Sequence, residues 1–289
     1  MEWFILALLA AIFHAILNGC VKHYLRQYHR YVLAGGVILS GGLLLMLASG
    51  IQGFPRIQEG FWVWAIVCII GVSIANIYYY KALDVGELSL VIPMLAFTPV
   101  FMLLTSMLML NEFPATKGLI GILLVVGGSY VINFEKSRQW LLPFQKFYTN
   151  KGIRYMFIVA TVYSVTGNID KILTLKSNAS FAGGLVKLSS GLFLVCWMCT
   201  QKQGVKEMIK PRLWLIALGI GVFSALVTYV QFTANTLTLV PYVISVKRLS
   251  ILFSILIGYF FFQERQFGQR FLGGALMVIG TYLILMATV

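Results

Sequence analysis

Acidic residues are scarce in this chain, with nine Asp and Glu against 22 Lys and Arg in 289 residues. Charges of either sign make up only 11% of it, while 60% is hydrophobic and the mean hydropathy is +0.88. So few charges cannot cover the surface of a water-soluble domain, which excludes one. No GxxxxGK[ST] loop is present, and no stretch between apolar runs could house a soluble nucleotide motor. The apolar segments contain no HExxH, no GxSxG and no cluster of acids, so an intramembrane enzyme is disfavoured and no cofactor or metal is expected. The four cysteines all lie in apolar segments. Only Cys196-Trp197-Met198-Cys199 has redox-like spacing, and without a thioredoxin-like context all four are expected to be packing residues.

What remains is a series of apolar stretches long enough to cross a ~30 Å hydrocarbon core. Ten spans are expected, at about 3–22, 31–51, 61–83, 88–110, 115–134, 154–176, 181–200, 212–235, 240–262 and 268–288. Met1-Glu2-Trp3 puts an acid where a leader peptide would be basic, so the first span is expected to be retained. A net charge of +13 would suggest nucleic acid for a soluble protein, but here its distribution carries the information, and no nucleic-acid partner is expected. Fifteen Lys and Arg follow spans 1, 3, 5, 7 and 9, whereas Arg56, Lys117, Lys171 and Lys176 alone lie on the opposite side. That asymmetry puts both termini outside the cytoplasm in a multi-pass protein of the cell (inner) membrane. The other three basic residues, Lys187, Lys247 and Arg248, fall within spans.

A shift of 152 positions aligns residues 82–132 with 234–284 without a gap, and 12 of the 51 positions are identical. Glu112 meets Glu264, Gly121 meets Gly273, Gly128 meets Gly280 and Tyr130 meets Tyr282. Upstream, Asn18 has a counterpart in Asn168. The chain thus divides into a repeat at 1–134, a linker at 135–152 rich in aromatic and basic residues and suited to the headgroup region, and a second repeat at 153–289. Five spans per repeat is an odd number, so the second repeat is expected to be inverted, an arrangement that suits alternating access. A channel would better suit an oligomer of short chains.

Both halves resemble the EamA domain of the drug/metabolite transporter superfamily. In the first, Ala82-Leu83 leads through Pro93 and Thr98-Pro99 to Asn111-Glu112 and "GLIGILLVVGG"; in the second, "VISVKRLSILFSILIGYFFFQE" leads to "FLGGALMVIG". The resemblance implies an all-α integral membrane fold of ten helices, as two inverted five-helix repeats around a central cavity. It does not imply one substrate, because the superfamily carries amino acids, drugs, nucleotide sugars and sugar phosphates.

Lys247 and Arg248 enter span 9 by about seven residues, or ~10 Å, where charges facing lipid would cost several kcal/mol each. Either Lys247 snorkels while Arg248 binds carbonyls or an acid, or at least one of them meets an anionic substrate, as a similar Lys-Arg pair does in the plastid sugar-phosphate translocators. Asp170 with Lys171 reads as a local ion pair or helix-end cap, with a proton or cation site as the alternative for Asp170. Lys187 is expected to snorkel. His14 and Asn18 share one face of span 1, and His14, the sole histidine in a span, is the natural pH-sensitive group. Tyr79, Tyr229 and Gln231 are further cavity candidates. Pro93 and Pro99 interrupt span 4 and Pro241 opens span 9, so helix breaks and gating are expected there. Glu112 and Glu264 read as helix caps at the membrane edge.

The resulting expectation is a secondary active transporter of a small polar, anionic metabolite bearing carboxylate or phosphate. A proton-coupled exporter of amino acids or drugs, titrating at His14 or Asp170, is the alternative. The expected partners are the small-molecule substrate, membrane lipid and a coupling proton or exchange substrate, in a monomer or homodimer.

Overall fold

The structure, a computed structural model, describes residues 1–24, 27–86, 88–133, 145, 147–200, 205–262 and 268–288. Glu264 and most of the 135–152 linker lie outside the described residues. Every described element is helical. The first half comprises α1 Glu2–Tyr24, α2 Arg30–Ile51, α3 Phe61–Val85, the short α4 Leu88–Val91, a 3-10 segment Ile92–Phe97, α5 Thr98–Leu110 and α6 Thr116–Asn133. The second comprises α7 Lys151–Leu175, α8 Ala179–Thr200, the short α9 Val205–Met208, α10 Pro211–Leu237, α11 Val240–Lys247, α12 Ser250–Phe262 and α13 Gly268–Met286.

Local chemistry sets the element ends. Asn150 caps α7 by accepting from Gly152 N at 2.9 Å and Ile153 N at 3.2 Å. Asn111 ends α5 in the left-handed region, φ 54°, which an asparagine tolerates and which turns the chain sharply at Glu112. Pro211 and Pro241 each sit in the first turn of their helix, where a missing N–H costs nothing.

Among the described residues, eight stretches are long and apolar enough to cross a membrane, including the interrupted Ile92–Leu110 and Val240–Ile257. Ten spans were expected; Thr116–Ile132 and Leu272–Met286 are apolar but shorter. At 1.5 Å per residue, α6 and α13 with the bounds given above cover ~27 and ~29 Å, close to the hydrocarbon thickness.

The two halves share their breakpoints. Shifting back by 152, Val240 falls on Leu88, Ser250 on Thr98 and Phe262 on Leu110, which are the bounds of the equivalent elements. Packing is likewise preserved when the halves are exchanged: α3 on α7 answers α1 on α10, α3 on α8 answers α2 on α10, and α5 on α7 answers α1 on α12. The equivalent helices α6 and α13 pack on each other and run antiparallel. A Cβ on Gly121 would lie 2.6 Å from Gly280 O, and one on Gly273 would lie 2.6 Å from Gly128 O. The repeated glycines therefore meet as 121 with 280 and 128 with 273, so that each lets one backbone rest on the other. The equivalent pair α2 and α8 is also antiparallel, with Gly35 against Val195 and Gly184 against Met46.

The surface is inverted relative to a soluble protein. On α3, Val63, Ile66, Val67, Ile70 and Ile74 are exposed while Ala65, Cys68, Ala75 and Asn76 are buried. Small and polar residues inside with large apolar ones outside is the arrangement a lipid solvent selects. The CxxC cysteines correct the expectation that they are packed: Cys196 and Cys199 are both exposed. The face of α8 that meets α2 is taken by Gly184, Gly191, Leu194 and Met198, leaving the cysteines on the opposite side with Leu192 and Phe193.

Candidate functional site

Span 9 breaks at its basic pair. α11 ends at Lys247, and 3-10-type bonds from Arg248 N to Ser245 O, Leu249 N to Val246 O and Ile251 N to Arg248 O carry the chain into α12. Proline is absent from this break, although Pro241 was the expected breaker; Pro241 only opens α11. The equivalent stretch of span 4 is the 3-10 segment, and there prolines do act. Pro99 has no N–H to give to Leu95 O four residues back. That carbonyl accepts instead from Thr98 Oγ1 at 2.8 Å and from Arg248 Nη2 at 2.7 Å. Pro93 is buried within the same segment.

Lys247 turns away from Arg248, as adjacent helical residues must. Its Nζ donates to Gln231 Oε1 of α10 at 2.5 Å. Each described hydrogen bond of the two cations goes to a neutral oxygen. Among the described residues, Arg248 Nε is buried with no partner. Tyr79 and Tyr163 pack against the same buried cluster as Leu95, and Tyr163 donates to Asn76 Oδ1 at 3.2 Å. Tyr163 carries no motif, and only its position opposite the break makes it relevant.

His14 of α1 lies with Nδ1 3.1 Å from Ser250 Oγ, at the first residue of α12. Asn18, one turn on, is exposed. Its counterpart Asn168 is fully buried, accepting from Ser106 Oγ at 2.7 Å and donating to Thr105 Oγ1 at 2.9 Å. The residues of α12 equivalent to Thr105 and Ser106 are Ile257 and Gly258, which carry no hydroxyl to offer Asn18.

Asp170 and Lys171 do not form the expected local pair. Asp170 Oδ1 accepts from Cys68 Sγ at 3.4 Å. Lys171 Nζ meets Glu112 Oε1 at 2.5 Å and Thr238 O at 2.8 Å. Glu112 Oε2 also accepts from Val240 N at 3.4 Å, so this glutamate does cap a helix, but the helix is α11 of the other half. Next to this clasp a recess of about 600 Å³ is lined by Trp3, Lys171, Thr238, Leu239 and Tyr242.

Lys187 overturns the snorkelling expectation: Nζ donates to Ser224 Oγ of α10 at 2.8 Å. The cause lies in α2, where Gly41 and Gly42 admit their neighbours closely. A Cβ on Gly41 would be 3.0 Å from Ser224 Oγ, and one on Gly42 would be 3.0 Å from Lys187 C. Ser224, Thr228, Gln231 and Asn235 recur at helical spacing and form one buried polar face of α10. Asn235 is fully buried there with neither side-chain polar atom partnered. Tyr229 lies on the other side, at 39% exposed, in a stripe with Leu215, Leu218, Val222 and Leu237. The structure thus gathers Lys247, Arg248, Gln231, His14 and Tyr79 around the break and leaves Tyr229 apart.

No curated protein matches the chain. One solved crystal structure superposes over 99% of this chain and 98% of its own with a TM-score of 0.81 at 15% identity, a likeness that shows the fold. The model of the EamA-like transporter family matches residues 1–134 and 150–286, one match on each repeat. With both repeats matched and apolar membrane-length helices throughout, the chain belongs to the EamA-like transporter family and is a multi-pass membrane transporter of the drug/metabolite transporter type.

Proposed function

We propose that the protein is a secondary active transporter that moves a small anionic metabolite by alternating access, binding its carboxylate or phosphate at the break between α11 and α12. The carrying observation is that Lys247 and Arg248 are held at the break by neutral oxygens, those of Gln231 and Leu95, with no carboxylate bonded to either among the described residues. Two cations paired only with dipoles leave a site that an anion completes. The N-terminus of α12 at Ser250 adds its positive helix end to the same place, as discontinuous transporter helices do. The antiparallel pairing of equivalent helices supports ten crossings in two inverted repeats around this site. On that topology, the charge asymmetry of the loops puts both termini outside the cytoplasm of a cell (inner) membrane.

The test is counterflow in liposomes containing the purified protein, over a panel of organic acids and phosphate esters. Lys247→Gln and Arg248→Gln should each weaken binding roughly ten- to a hundred-fold, the worth of a charge-assisted contact. Folded variants transporting at wild-type rates would overturn the assignment. Proton-coupled export is the second reading. It rests on Asp170, whose described partner is a thiol rather than a cation, and on His14 at the break.

A further inference from the structure

A third cation belongs to this site. Lys187 lies within a span, yet its amine is directed at α10, where its bonding partner is a hydroxyl. Lys247 is directed at the same face of α10, where its partner is an amide oxygen. Ser224 and Gln231, the two anchors, are seven residues apart, which is ~10 Å along the helix axis. Thr228 lies between them, and its hydroxyl donates within its own helix to Ser224 O at 3.1 Å. The polar face of α10 therefore carries two ammonium groups at two heights, with no carboxylate among the described residues bonded to either.

Charge counting points the same way. Asp170 takes its described hydrogen bond from Cys68, and among the described residues neither lysine is bonded by a carboxylate. Lys187, Lys247 and Arg248 are three cationic side chains set against this one acid. A partly buried excess of two is costly unless a ligand carries the balancing charge.

We infer that the substrate is a dianion with two separated anionic groups, one bound by Lys247 and Arg248 and the other by Lys187, lying along the Ser224–Gln231 face of α10. This rests on the anionic reading of the Lys247–Arg248 break and adds to it a second subsite, a charge of two and a length. A monoanion would leave Lys187 unanswered, and the seven-residue spacing of the two anchors favours a ligand whose anionic groups are separated.

The experiment measures ligand-induced thermal stabilisation of the detergent-solubilised full chain at constant ionic strength. The probes are acetate, butyrate and methylphosphonate as monoanions, set against succinate, glutarate, adipate and 3-phosphonopropionate. In the wild type the separated dianions should bind about ten-fold or more tightly than the monoanions. Lys187→Gln should reduce that preference about ten-fold, while Lys187→Arg should keep it. Lys247→Gln should weaken both classes. Should Lys187→Gln fail to fold, Ser224→Ala, which removes only the tether, should reduce the preference several-fold. Equal binding of both classes, or a preference that survives Lys187→Gln, would overturn the second subsite and leave the anionic site standing. If no probe of either class stabilises the wild type, both fall.

Discussion

Arg248 donates to the carbonyl of Leu95 at 2.7 Å, and Leu95 is the residue that the repeat makes equivalent to Lys247, since 247 − 152 = 95. The basic pair of the second half is therefore tied to the matching break of the first. Exchange of packings between halves, the essence of alternating access, would have to remake this contact.

That contact gives the first prediction. Arg248→Lys keeps the charge but loses the planar fork that can hold the Leu95 carbonyl and a ligand together. It should weaken binding nearly as much as Arg248→Gln, whereas Lys247→Arg, at a site with one neutral acceptor, should be milder. Affinities for one bound anion across the three variants check the order, and the reverse order would refute it.

A second prediction concerns the clasp between halves. Glu112 and Lys171 are 10% and 16% exposed for the lysine and glutamate side chains respectively, and the pair also holds Thr238 O and Val240 N. Glu112→Gln should destabilise by up to about 3–5 kcal/mol, since it strands a nearly buried lysine. Replacing both by Gln and Met should restore part of that loss, because no charge is then left unpaired. Thermal unfolding in detergent reads both effects, and a double variant no better than the single would contradict the account.

Third, two glycines of α10 should respond oppositely to alanine. A Cβ at Gly219 meets nothing within 4 Å, so Gly219→Ala should stabilise by about 0.5–1 kcal/mol through backbone entropy. A Cβ at Gly221 would lie 2.6 Å from Ser40 Cβ and 3.1 Å from Gly41 N. Gly221→Ala should therefore cost about 1–3 kcal/mol by forcing α2 and α10 apart. Paired melting curves decide it.

Orientation supplies the fourth. In a cysteine-free background, a cysteine placed in the 52–60 loop should be labelled from outside intact cells, and one in the 135–152 linker should not. Labelling of the linker from outside would reverse the orientation read from the basic residues.

The sequence carried the features that depend on composition and on spacing along one chain: membrane-length apolar runs, the 152-residue repeat, and three cations stranded inside spans. It also carried the interruption of span 4, because proline breaks a helix wherever it stands inside one. The break in span 9 was misplaced, because Pro241 was expected to make it and only opens α11, whereas the chain breaks at Lys247 and Arg248 without a proline. Partners were not legible at all. Asp170 and Lys171 are neighbours in the chain, yet a helix turns adjacent side chains about 100° apart, sending one to Cys68 and the other to Glu112. Asn18 and Asn168 look alike in the sequence, but only Asn168 faces hydroxyls. Lys187 looked able to reach headgroups because its depth was known and its direction was not. Gly41 and Gly42 on another helix set that direction, by letting α8 and α10 close around it. Depth and period are properties of one segment, whereas which polar atoms meet is set by the helices it packs against, and that information is spread over both halves of the chain.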